Sequence, residues 1–401
     1  MATVHPATAR ADQPIAYRTI CADSHVNPPP TMWAEYLPAK LRQFAPQVEE
    51  RDDGDYILFE GRARKLNLIN AQAGRDHRNF KMEGRQSDQR RGIWLAPERI
   101  ADMDTDGLDA VVMFGGGPLG TLNSELYHES FKAYNRWLAD FCAHDRRRLC
   151  PVGYIPMRDV AESIAMLKDC VALGFTAINI PAFPSPREAV VPKNFGFQSS
   201  LVSPQAAALT GNPFGERQYD QPEFDPFWQA VVEHGVVLTM HLGGRSVRFE
   251  QKDKMLPDMI MSKLAMAEPA AILIYGGVFM RHPGLRLAMV ESGSGWMAFA
   301  AEYMDRTWEK QRYWLASPLT EPPSHYMDQN VYTSFINDRT AVLLRNQPGA
   351  RNIMWSSDYP HSETTFPRSH EVIARDFDGV PEADRQMIVC GRARALFRIG
   401  A

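Results

Sequence analysis

Paired cysteines, a long apolar run and an excess of charge of either sign are all missing from this chain of 401 residues. The five cysteines, Cys21, Cys142, Cys150, Cys170 and Cys390, are scattered, odd in number and without a CxxC pair. That argues against a disulfide framework or a zinc ribbon and predicts reduced thiols in a cytoplasmic protein. No segment approaches the roughly 18 apolar residues of a membrane-spanning helix; the best candidate, 270–280, is too short. Residues 1–18 hold no apolar core of a secretory signal. Lys and Arg number 44 against 48 Asp and Glu, a net charge of −4, so there is no electrostatic footprint for nucleic acid or an anionic membrane. Arg146-Arg147-Arg148 is isolated and reads as a solvated turn. Gly-x-Ser-x-Gly is absent too, which removes support for a serine hydrolase. The expected partners are a small-molecule substrate and a second copy in a homodimer, the commonest assembly of soluble enzymes.

What the chain does contain is alternation. Short aliphatic or β-branched runs near 17–23, 110–114, 149–154, 177–180, 236–240, 286–290, 331–335 and 353–356 are separated by amphipathic stretches, among them 97–106, 125–144, 159–173, 225–234, 256–280 and 294–315. Strands alternating with helices predict parallel βα units. Gly174 and Gly235 stand where helices should end, and Asp225 before Pro226 suggests an N-cap. Eight such units predict an α/β fold, a closed (β/α)8 TIM barrel forming one domain over 1–401. A minimal barrel takes about 250 residues, so roughly 150 must lie in loops. The largest insertions are 26–95, with a strand-like segment at 56–59, and 181–222; both leave the C-terminal ends of strands. An open doubly wound sheet is the competing arrangement.

Chemistry-bearing residues gather at those strand ends. Asp23-Ser24-His25-Val26 closes the first strand, and residues two apart on a strand share a face, so Asp23 and His25 can reach one metal. His241 ends the fifth strand ahead of Gly243-Gly244, Glu291 ends the sixth, and Asp358-Tyr359-Pro360-His361 follows the eighth. Each taken alone also fits a capped turn or a satisfied core residue. In a closed barrel the first and eighth strands are neighbours, and all these positions fall on the face that carries catalysis in this architecture. An unpaired buried carboxylate is costly, which favours a site role for Glu291, as ligand or acid/base, over a structural one. Gly115-Gly116-Gly117-Pro118-Leu119-Gly120 satisfies a dinucleotide-binding pattern, but Pro118 breaks the turn into a helix, so a loop at the barrel mouth is expected. His282 and His234, away from the mouth, are expected to be structural.

Six segments carry a family resemblance. They are Asp23-Ser24-His25-Val26; Pro97-Glu98-Arg99 through Met103-Asp104-Thr105-Asp106-Gly107; Tyr134-Asn135-Arg136-Trp137-Leu138; His241-Leu242-Gly243-Gly244; Gly277-Val278-Phe279 with Arg281-His282-Pro283-Gly284-Leu285; and Ser357-Asp358-Tyr359-Pro360-His361. On these the chain resembles the amidohydrolase superfamily, in its amidohydrolase-2 branch, which includes enzymes like aminocarboxymuconate semialdehyde decarboxylase and resorcylate decarboxylase. The resemblance implies a TIM barrel binding one or two divalent metals through Asp23, His25, His241 and Asp358, with Asp358 handling protons. The chain departs from the pattern in its Asp-x-His on strand one, in Pro28, and in Arg392 near the C-terminus. It also has Glu291 where the branch's decarboxylases typically place a histidine, and no strand-four lysine for a carbamate bridge (Asn179-Ile180-Pro181).

A divalent ion lowers the pKa of bound water and polarises a carbonyl. The expected activity is therefore first hydrolysis of a small carbonyl compound, with Asp358, Glu291 and His361 as catalytic groups. Oxygenation at a non-heme iron or diiron site comes second, and non-oxidative decarboxylation third. A catalytically inert scaffold would have no use for the ligands. The metal set is Asp23, His25, His241, Glu291 and Asp358; this oxygen-rich set suits Mn or Fe at least as well as Zn.

Overall fold

The structure is a computed structural model and describes residues 15–121, 123–185, 217–242 and 255–400. Among the described residues, twelve strands run in chain order: β1 (Ile20–Val26), β2 (Gln47–Arg51), β3 (Gly54–Phe59), β4 (Arg62–Asn67), β5 (Glu83–Gly84), β6 (Ala110–Gly115), β7 (Leu149–Tyr154), β8 (Ala177–Ile180), β9 (Val237–His241), β10 (Leu287–Val290), β11 (Val331–Phe335) and β12 (Ile353–Trp355). Eight form one parallel sheet in the order β1-β6-β7-β8-β9-β10-β11-β12. A parallel bridge between Ser24 and Tyr359 joins the last strand region to the first, and the amide of Asp358 donates to the Asp23 carbonyl at 3.1 Å. The result is the (β/α)8 barrel, closed by these contacts. Its strands are buried on both faces and read as continuous apolar runs, as covered parallel strands do.

The helices form where the periodicity places them. Asn123 caps Ser124–Cys142 by accepting from the Leu126 amide, and Asp159 caps Val160–Ala172 by accepting from Glu162. Gly174 and Gly235 take the left-handed conformation just past their helices (φ +81° and +60°). Two expectations need correction. Asp225 is not an N-cap: a 3-10 turn over Pro222–Phe224 runs straight into Asp225–Glu233, and the Asp225 carboxylate pairs instead with Arg281 and with His282, both at 3.1 Å. The stretch 256–280 is three helices rather than one, Met255–Leu264, Ala267–Tyr275 and Val278–Arg281. Pro269 cannot continue a preceding helix, and Gly277 at φ +74° ends the second.

The barrel interior is filled from below by alternate strand residues, including Ile20, Ala22, Val112, Val152, Ala288 and Met354; Phe397 and Ile399 of the C-terminal segment are part of the same cluster. A larger apolar layer lies between barrel and helices. The insertion 26–95 folds into a four-stranded antiparallel meander, β2-β3-β4-β5, in place of the single strand expected there. Its β3–β4 turn, Glu60-Gly61, has both residues at positive φ, as a tight hairpin requires. The segment leaving this sheet is tied to the barrel mouth, where the amides of Gln72 and Ala73 donate to the Pro360 carbonyl at 2.9 and 3.1 Å. Within the other insertion, 186–216 lie outside the described residues, as do Gly243 and Gly244.

Candidate metal centre

Asp23 and His25 reach the barrel interior because β1 is irregular. Three steps along β1, from Cys21 to Ser24, match two along β6, from Val111 to Met113. Ile20 and Ala22 face the lumen before this bulge. After it, His25 pairs with the lumen-facing Phe114, so the odd-numbered side chains point inward. His241 needs no such device, since it follows Val237 and Thr239 on one face of β9. Its backbone amide donates to Asn179 Oδ1 at 3.1 Å, an oxygen that also accepts from Thr239 at 2.9 Å. Glu291 and Asp358 sit just beyond β10 and β12 in the left-handed region (φ +55° and +53°). Side-chain-bearing residues pay roughly 1–2 kcal/mol there, and such outliers concentrate at functional sites. The Ser334 hydroxyl accepts from the Glu291 amide at 2.9 Å and holds that turn.

The donor atoms converge. His25 Nε2 lies 3.1 Å from both Asp23 Oδ1 and Asp358 Oδ1, and His241 Nε2 lies 3.4 Å from Asp23 Oδ1 and 3.8 Å from Glu291 Oε2. Donors about 2.1 Å from a common ion are roughly 3.0–3.4 Å apart at octahedral to tetrahedral angles. Both carboxylate oxygens of Asp23 and of Asp358, and the Nε2 atoms of His25 and His241, are buried without a well-formed hydrogen bond. Buried polar atoms are ordinarily satisfied, so a cluster left without donors in this way fits a cation. Two overlapping groups of potential ligands emerge, Asp23, His25, His241 and Glu291, and His25, Glu291, Asp358 and His361, each with ligand atoms within 4.8 Å of one another. The cluster can hold a divalent metal ion, and its imidazole–carboxylate chemistry suits Mn, Fe or Zn.

Burial would raise the Asp23 and Asp358 carboxyls, but neighbouring histidines outweigh it and hold both below the usual range. Burial disfavours a charged His25, yet Asp23 and Asp358 push it up to about 10, whereas His241 is lowered by burial. Glu291 is pushed well above its ordinary value, first by burial and then by Asp358. His361 stacks on His25 with ring centroids 3.9 Å apart, and its Nδ1 lies 3.0 Å from Asp358 Oδ1.

All six residues singled out in the sequence, Asp23, His25, His241, Glu291, Asp358 and His361, thus gather at one end of the barrel. Two neighbours were missed. Lys263, on Met255–Leu264, lies 3.5 Å from Glu291 and 2.9 Å from Glu363. Its pattern neighbours are ordinary helical residues, and no sequence signal joins it to Glu291. Arg99 is fully buried behind β1, donating to the Ser24 hydroxyl at 3.1 Å and to the His25 carbonyl, with its guanidinium 4.1 Å from the Tyr359 ring centroid. His282 is structural, as expected, through its contact with Asp225. Among the described residues no helix is long and apolar enough to cross a membrane.

A family model described as amidohydrolase matches residues 22–399. Gamma-resorcylate decarboxylase from Rhodococcus jostii (strain RHA1) is 25% identical over 277 residues, covering 66% of this chain and 75% of that protein. An amidohydrolase from Mycobacterium avium subsp. paratuberculosis K-10 superposes with a TM-score of 0.71 at 19% identity, over 96% of this chain and 98% of the other. A dihydroxybenzoic acid decarboxylase from Polaromonas sp. JS666, with bound manganese and the inhibitor 2-nitroresorcinol, superposes with a TM-score of 0.62 at 18% identity, over 96% and 98%. These relatives overturn the expectation that hydrolysis comes first. The physical reason is that a ligand set which activates water serves equally to neutralise a carboxylate, so the ligands alone do not separate the two reactions. The enzyme relatives and the match over nearly the whole barrel lead to one conclusion: this chain is an enzyme of the amidohydrolase family.

Proposed function

We propose that the chain is a metal-dependent, non-oxidative decarboxylase of a small hydroxyaryl or similarly activated carboxylate. One observation carries this reading: the imidazoles and carboxylates of Asp23, His25, His241 and Asp358 converge at the barrel mouth, with the buried carboxyl of Glu291 among them. Asp23, His25, His241 and Asp358 would hold the ion. When bound, the ion supplies positive charge against the substrate carboxylate and an adjacent oxygen. Decarboxylation breaks the carbon–carboxylate bond, leaves the electron pair on carbon and releases CO2; that carbon then takes one proton. Glu291, in the position that the branch's decarboxylases give to histidine, is the proton donor. Lys263 balances its charge once the proton has left. His361, with a side chain 17% exposed against 1% for Asp358, connects the buried carboxylates to solvent protons. The resemblance to gamma-resorcylate decarboxylase supports a 2,6-dihydroxybenzoate-like substrate.

The test uses manganese-loaded protein with 2,6-dihydroxybenzoate and related hydroxybenzoates under anaerobic conditions. The expected result is stoichiometric CO2 release, with one deuterium at the vacated ring carbon when the solvent is D2O. Turnover only in the presence of O2, or none across a panel of aryl and enolic carboxylates, would overturn the proposal.

A further inference from the structure

At the opposite end of the barrel from the metal centre lies a cavity of about 380 Å³. It opens among the N-terminal ends of β9, β10, β11 and β12 and the C-terminal segment, and three arginines, Arg286, Arg392 and Arg398, line it alongside Tyr332, Asn352 and Met387. The volume falls in the range of small-molecule sites, about 300–1,000 Å³. Three guanidiniums around one cavity repel one another unless acids or an anion intervene. Among the described residues, none of the three has a carboxylate within ion-pair distance. The charge of Asp384 reaches Arg392, but that carboxylate pairs with Arg345 at 2.8 Å.

The arginines keep donors in reserve. Arg286 is anchored through Nη1 alone, to the carbonyls of Pro283 and Leu285 at 2.8 and 3.1 Å, and Arg392 through Nη1 to the Ile353 carbonyl at 3.4 Å. Arg398 adopts left-handed backbone (φ +55°), and its Nη1 lies 3.8 Å from where a Cβ on Gly235 would sit. One wall is the π-helical turn Met387–Gly391, an irregularity frequent at functional sites. Val231, Val236 and Leu396 supply apolar surface.

We propose that this basal cavity binds a small organic anion, its oxyanion held by Arg286, Arg392 and Arg398 and its apolar body set against Tyr332 and Met387. Guanidinium forks match carboxylate and phosphate alike, so either group can supply the oxyanion. The site is independent of the reaction at the barrel mouth.

Isothermal titration calorimetry of the full-length, metal-loaded protein with benzoate, phenyl phosphate and inorganic phosphate tests it. His241→Ala, which cripples the mouth, should leave basal binding intact, while Arg392→Gln and Arg286→Gln should each weaken it about tenfold or more, as loss of a charge-assisted hydrogen bond implies. Arg392→Lys, which keeps the charge, should recover part of the affinity. Preference for benzoate identifies a carboxylate ligand, and preference for phenyl phosphate a phosphoryl one; binding of inorganic phosphate alone denies the apolar half and overturns the proposal. Should an Arg286 or Arg392 variant fail to fold, the exposed Arg398→Gln provides the same comparison. No binding of any probe at millimolar concentration, or binding undiminished in the arginine variants, would also overturn it.

Discussion

Glu291 is held beside the donors by its backbone rather than by strand register. Lumen-facing positions on β10 are Ala288 and Val290, so simple alternation would turn the next residue outward, and the left-handed φ of +55° re-aims it. A group so placed can serve as acid without being needed to retain an ion. Glu291→Gln should keep the metal content of the parent protein, measured by elemental analysis, and lower kcat by about 10²–10⁴, the usual worth of a positioned acid. A variant that loses its metal instead would reassign Glu291 as a ligand. The cluster of candidate donors was legible because Asp, His and Glu at strand ends are rare without purpose. Lys263 and Arg99 were not legible, because a lysine within a helix and an arginine within an amphipathic run look the same whether they face solvent or buried polar partners. Their roles depend on contacts with residues far away in the chain.

Elements position the donors, and they do so through features that periodicity does not encode. The two-residue repeat correctly put Asp23 and His25 on one face of β1; the bulge that brings this face inward has no signature in Cys21-Ala22-Asp23-Ser24. Asn179 on β8 braces the neighbouring strand at His241. Removing it in Asn179→Ala should reduce metal affinity about 10–100-fold, the customary cost of losing a group that orients a ligand; equilibrium competition with a chelating dye measures this. Close packing at β6 is equally specific. A Cβ at Gly115 would fall 1.3 Å from the Tyr134 hydroxyl, and Tyr134 is fully buried. Gly115→Ala should therefore destabilise the fold by about 1–3 kcal/mol or more, as overpacked cores do, which urea denaturation would register. The barrel strands were largely predictable because each is a short apolar run. The meander in 47–84 was mostly missed: strands such as Arg62–Asn67, mostly exposed and rich in basic residues, carry no apolar run.

At the scale of the molecule, the candidate metal centre gathers positions from β1, β9 and the turns after β10 and β12, and an ion that binds only the folded chain stabilises it by mass action. Removing metal with a chelator should lower the thermal midpoint, and re-adding manganese at rising concentration should raise it progressively; calorimetric scans give both. A midpoint indifferent to chelation and re-addition would count against the ligand assignment.

The closure of the ring has a further meaning. The Asp358 amide reaches the Asp23 carbonyl, and the Ser357 amide reaches the Cys21 sulfur across 336 positions of sequence. The two ends of the proposed ligand set therefore emerge from the ribosome far apart in time. At about 5–20 residues per second, Asp23 waits some tens of seconds for its partner. Through that interval the early strands hold at most an incomplete set of donors, so a nascent chain should be unable to capture the ion tightly. With the proposed ligands, metal acquisition would report on a finished barrel, and a chain truncated before Asp358 would lack one of its proposed donors.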